Sequence, residues 1–204
     1  METPKTIHDF SGFPQELYEV QYPAKGSPIL AQEMKDIVQP IQVELDQKWG
    51  LDHGAWSVIK HLYPEANIPV IQMSLDYTKP PSYHFELAQK LNSLREKGIL
   101  IIGSGNIIQN LGLIDWPHFN KDNYGHDWAI EAKLTLNKYL LDKNYQPLIN
   151  YHKESRAINM AIPTPDHFLP LLYTLGLHQK GETLELFNDK LVAGSLSMTS
   201  IKIA

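Results

Sequence analysis

The chain has 204 residues, of which 43% are hydrophobic and 20% charged, with a formal net charge of −5. That composition belongs to a globular chain long enough to bury one substantial core, and it excludes a disordered or fibrous protein. A mildly acidic chain without a basic block excludes nucleic acid as a main partner, and the absence of cysteine excludes disulfides, zinc–thiolate sites and a cysteine nucleophile.

From the N-terminus, residues 1–26 are rich in proline, glycine and aromatics, including Phe10, Phe13, Tyr18 and Tyr22. They have no clear period beyond one helical turn near Pro14–Tyr18. Met1–Phe10 has no apolar h-region, so it does not read as a signal peptide. Ser27-Pro28 is patterned as an N-cap followed by proline at the first helical position, and Ile29, Leu30, Met34, Ile37 and Val38 follow at helical spacing. Ile41–Leu45 alternates and reads as a short strand. A helix is expected from about Gly54, with Trp56, Val58, Ile59 and Leu62. Ile68–Leu75 reads as a strand with its proline near the start.

Pro80–Lys97 has the clearest helical pattern, stopping at Gly98. Ile99–Ile102 then reads as a buried strand, and it is far too short to cross a membrane. Strand, helix, strand at this spacing predicts a right-handed crossover with parallel pairing. Asp127–Leu141 is a second helix, and Tyr145–Tyr151 a shorter one. Pro165–Leu175 is expected to be helical with Thr164 as its N-cap. Leu184–Phe187 and Ser195–Ile203 read as strands. The fold class expected is therefore α/β: a single domain, 1–204, with a mixed, mostly parallel central sheet flanked by helices. The cysteine-free composition is consistent with a cytoplasmic protein.

Nine histidines stand out for this length. His53 follows Asp52 and precedes a glycine, and His167 follows Asp166 in the first turn of the expected helix, where the dipole favours neutral imidazole. Neutral imidazole is what a metal ligand or general base supplies. His8 lies beside Asp9 in an aromatic segment. For each, the plain alternative is an imidazole satisfied by backbone hydrogen bonds, and no HxH or HExxH spacing singles out a metal site. Gly103-Ser104-Gly105-Asn106 follows a strand, where open α/β sheets bind ligands, but it is neither a Walker loop nor a nucleophile elbow.

Several segments, in order, resemble the DOPA-type extradiol aromatic-ring-opening dioxygenases, the class III family with a B-like catalytic subunit. They include Thr6-Ile7-His8-Asp9-Phe10, Asp52-His53-Gly54-Ala55-Trp56, Ser104-Gly105-Asn106, Thr164-Pro165-Asp166-His167-Phe168-Leu169-Pro170 and Gly194-Ser195-Leu196-Ser197. The resemblance implies opening of a catechol-type small molecule such as DOPA with a non-haem metal, Fe(II) or Zn(II). It implies His53 and His167 as catalytic residues and His167 as a metal ligand. It also places Gln109 where the family has a histidine of the metal site, and glutamine is a poor ligand for such metals. Met1 falls after the family's first two strands, each of which carries a ligand histidine. The expectation is therefore an incomplete domain that lacks those strands, with metal weakly bound or absent and activity impaired. An exposed sheet edge would then favour a homo-oligomer. A non-catalytic remnant acting as a binding or interaction protein is the alternative.

Overall fold

A computed structural model describes all 204 residues, and they fall into two units, Met1–Ser74 and Leu75–Ala204. The first unit carries α1 (Gln15–Tyr18), α2 (Pro28–Ile37) and α3 (His53–Leu62). The start of α2 follows its sequence signal: the Ser27 hydroxyl accepts from the Leu30 N–H at 3.2 Å, with Pro28 next in line. At α3 the Asp52 carboxylate caps the helix, accepting from the Ala55 N–H at 3.0 Å. The Gln72 side chain bonds Asp52 reciprocally, through its amide N–H to the carboxylate and its oxygen to the Asp52 N–H.

The aperiodic N-terminal segment is held by buried aromatics instead of by ladders. Tyr22, Ala24, Leu51, Trp56 and Ile59 form the core of this unit. The indole N–H of Trp56 donates to the Ile7 carbonyl at 2.8 Å, and the Tyr22 hydroxyl donates to that of Tyr63 at 2.9 Å. Each ring thus buries an apolar body and satisfies its polar tip.

The second unit carries α4 (Pro81–Lys90), α5 (Asn92–Arg95), α6 (Asp127–Leu141), α7 (Gln146–Ile149), α8 (Arg156–Ala161) and α9 (Leu169–Gly176). Its strands are β1 (Leu184–Phe187), β2 (Leu191–Val192), β3 (Leu196–Ser197) and β4 (Ser200–Ile203). Helix α9 is apolar all round and buried all round, as that pattern requires. Helix α6 buries only one stripe, Ala129, Ala132, Leu136 and Leu140. Helix α4 lies against α9 so closely that a Cβ on Gly176 would sit 2.4 Å from the Phe85 carbonyl oxygen. The single helix expected over Pro80–Lys97 is interrupted at Leu91, whose N–H takes the Ala88 carbonyl in a tighter turn.

The same α4–α9 contact buries His84 completely. Its Nδ1 lies 3.1 Å from the Tyr173 hydroxyl, while Nε2 has no partner. Burial holds its pKa below the ordinary value, against the opposing pull of the Asp76 backbone and charge and the Lys79 backbone. The unfolded chain therefore takes up this proton near pH 6.5, and the folded chain only at lower pH. Stability should be independent of this group above that point and should fall as pH drops below it, by up to about 1.4 kcal/mol per pH unit. Urea unfolding of wild type and His84→Gln between pH 7.5 and pH 5 should give a shallower acid slope for the variant, and equal slopes would refute the assignment.

The strand content corrects the expected sheet. In place of a mostly parallel central sheet there are two two-stranded antiparallel ones, β1 with β4 and β2 with β3. Parallel pairing is confined to single bridges, Thr6 with Leu51 and Gly125 with Gly194. Residues 41–45, 68–75 and 99–102 form no strand. The reason is that a strand needs a neighbour. The Ile99 N–H turns back to the Leu94 carbonyl and the Val70 N–H goes to that of Lys25, so these runs make no ladder. Leu100 and Ile102 consequently stand exposed at 63% and 39%. The mixed helix-and-strand class holds, and no helix is long and apolar enough to cross a membrane.

Candidate active site

His167 lies in the turn that leads into α9. The helix begins at Leu169, four residues later than expected, because the Pro165 carbonyl accepts from both Phe168 and Leu169 in a turn of its own. Asp166 faces the imidazole directly, with its carboxylate 2.6 Å from Nδ1. Partial burial raises the Asp166 carboxyl pKa, but hydrogen bonds from Thr164, its own N–H and His167, with the charge of His167, outweigh that and hold it below the ordinary value. A carboxylate can only accept, so Nδ1 carries the proton and Nε2 is the free nitrogen.

The Ser-Gly-Asn loop fixes the path of the chain beyond it. The Asn106 N–H donates to the His167 carbonyl at 2.9 Å. A Cβ on Gly105 would meet that same carbonyl at 2.2 Å, so glycine is what lets the two backbones touch. Residues 106–110 are then clamped on both sides. Asn106 and Ile108 bond Ser197, Asn110 bonds Ser195, and the Gln109 N–H donates to Ala161 at the end of α8, at 2.9 Å. The result brings two of the sequence-derived positions together. Gln109 and His167 line one cavity of about 330 Å³ with Asn110, Leu111, Gly112, Pro163, Thr164 and Asp166. The side-chain oxygen of Gln109 is buried there without a hydrogen-bond partner.

This donor set does not fit a divalent metal. It offers one imidazole, one carboxylate already committed to that imidazole, and the amides of Gln109 and Asn110. Nowhere in the chain do three or more His, Cys, Asp or Glu side chains come together closely enough to hold an ion, and specific sites need three or four protein ligands.

His53 belongs to the first unit, as the first residue of α3. Sequence proximity pointed to Asp52 as its companion, but Asp52 is occupied as the helix cap. The carboxylate that meets His53 is Asp9, whose Oδ1 lies 2.8 Å from the ring Nδ1 and 3.0 Å from the backbone N–H. Partial burial raises the Asp9 pKa, and the hydrogen bonds from His53 more than reverse that, leaving it lowered. Phe10 sets its ring edge-on to the imidazole at 5.6 Å. His8 takes the plain alternative: its Nε2 meets the Val20 carbonyl at 2.9 Å and its ring packs on Phe10, Tyr18 and Trp56. Nothing in the local sequence marks Asp9 as the companion of His53, since the two lie 44 residues apart.

Residues 1–199 match the family described as the catalytic LigB subunit of aromatic ring-opening dioxygenase. The chain belongs to that family and is a class III extradiol dioxygenase by descent. It is 43% identical to the 4,5-DOPA dioxygenase extradiol of Escherichia coli (strain K12), an alignment spanning 100% of this chain and 75% of that protein. It is 35% identical to the 4,5-DOPA dioxygenase extradiol of Beta vulgaris over 97% of this chain and 73% of that one. Among solved structures, an uncharacterized protein from Escherichia coli K12 superposes with a TM-score of 0.81 at 35% identity, covering 97% of this chain and 80% of that chain.

Proposed function

We propose that this chain takes a catechol-type small molecule such as DOPA as its ligand, and that on its own it opens the ring weakly or not at all. One observation carries the second half: the cavity that holds His167 is lined by an amide, Gln109, and by a single imidazole, and no three His, Cys, Asp or Glu side chains gather there. The names of the relatives support the first half. His167 is assigned to proton transfer with the ligand hydroxyls, and His53, in the first unit, is assigned separately as an acid–base residue, since each has Nδ1 tied to an aspartate and Nε2 free to accept. Fe(II) or Zn(II), the metals that the family resemblance implies, are expected to bind weakly. The exposed apolar side chains of Leu100 and Ile102, in a run that pairs with no strand, support self-association through that segment.

The test is to dialyse the purified chain, measure its iron and zinc, and follow ring-opened product from DOPA by absorbance, with gel filtration on the same sample. The expected outcome is metal far below one ion per chain and product at background. Near-stoichiometric metal with ring-opened product would overturn the reading. Retained DOPA binding with neither metal nor product supports the non-catalytic form, which an amide at position 109 favours.

A further inference from the structure

We infer that Asp9 is a positioning residue that holds His53 in the Nδ1–H tautomer, so that Nε2 is the nitrogen presented for proton transfer. The inference rests on the proposed proton-transfer role of His53 and adds the group that prepares it. Three features of the geometry converge. One carboxylate oxygen, Asp9 Oδ1, receives both the ring Nδ1 at 2.8 Å and the backbone N–H of the same residue at 3.0 Å. The backbone N–H is a fixed donor, so an acceptor must stand at that point, and the only ring nitrogen that satisfies it is a protonated Nδ1. The carboxylate also sits at the positive end of α3, where the helix dipole favours it.

The ring is fixed in angle as well as in tautomer. Phe10, next to Asp9 in the chain, lies edge-on to it with an interplanar angle of 83°. The His53 side chain is nonetheless 49% exposed, which leaves Nε2 accessible. A histidine placed only for packing would be buried, as His84 is, or bonded to a carbonyl, as His8 is. This one is clamped at one nitrogen and open at the other, as an acid–base imidazole needs.

Ring-15N spectra of the full chain, recorded at a pH where its imidazoles are neutral, test the assignment. The His53 signals are identified by their loss in His53→Gln. Wild type should show Nδ1 protonated and Nε2 bare. Asp9→Ala should shift the ring toward Nε2–H, the form an untethered imidazole favours, and should slow carbethoxylation of His53 Nε2 by diethyl pyrocarbonate severalfold. Asp9→Asn should keep the wild-type pattern, because the backbone N–H still demands an oxygen at that point. A wild-type ring protonated at Nε2, or an Asp9→Ala protein with a lower melting temperature but unchanged tautomer and acylation rate, would overturn the inference. If Asp9→Ala fails to fold, the wild-type spectrum alone decides. No catechol or metal is present in these measurements, so their outcome is separate from that of the ring-opening assay.

Discussion

Replacing Gly176 by alanine should lower stability by roughly 1–3 kcal/mol, the usual cost of forcing an extra group into a filled interior, and valine should cost more. The size reflects the surroundings of the position. A Cβ there would stand 2.4 Å from the Phe85 carbonyl oxygen and 2.8 Å from the Ala88 Cβ, so the obstruction comes from the backbone and first side-chain carbon of α4. Neither can rotate away, and relief requires α4 and α9 to separate. That separation would loosen the packing around buried His84, which bonds Tyr173 on α9. It would also disturb the turn that carries His167 into the same helix. Gly112→Ala is the matched control, because its nearest neighbour is the Asn110 side-chain oxygen at an ordinary 3.5 Å. That variant should stay within about 0.5 kcal/mol of wild type. Urea midpoints measure both, and the same midpoint for the two alanine variants would contradict the α4–α9 packing.

Local rules carried the helices whose signals are local. Ser27-Pro28 opens α2 as capping chemistry requires, and the period of α6 placed both its ends, whereas α3, expected from about Gly54, starts at His53 under the Asp52 cap. Strands were less legible for a physical reason. An apolar run such as Ile99–Ile102 states that a segment suits a sheet buried on both faces, but not whether a neighbouring strand exists to pair with it. Leu184–Phe187 reads as a strand with the bounds of β1, whereas the single strand expected over Ser195–Ile203 divides into β3 and β4. The site divides along the same line. Gln109 and His167 were marked by ordered motifs, and the cavity unites them. Asp166 was visible beside His167, whereas the pairing of Asp9 with His53 joins two segments that no period or spacing connects. His84 is fully buried because the face of α4 it occupies is defined only once α9 packs there.

Gln109→His should raise the affinity of the chain for Zn(II) or Co(II) by at least about tenfold, a gain no smaller than that seen for changes merely behind a metal ligand. The position is ready for the exchange. Its backbone is held by the Ala161 carbonyl and by the flanking bonds of Ile108 and Asn110 to Ser197 and Ser195, none of which involves the side chain. The amide oxygen that would be lost makes no hydrogen bond, so the substitution gives up little there. The new imidazole enters a cavity that His167 also lines, and the Nδ1 of His167 is fixed by Asp166, the arrangement that raises the basicity of a ligating histidine. Two imidazoles and one carboxylate still fall short of a closed four-ligand site, so the variant should bind more tightly than wild type without reaching structural-zinc affinity. Calorimetric titration with Zn(II) and the visible spectrum of Co(II) measure the gain. Adding His167→Ala to the variant should erase it, since the two nitrogens act as a pair. A gain that survives the loss of His167, or no gain at all, would mean that the two side chains line one cavity without being able to grip a common ion.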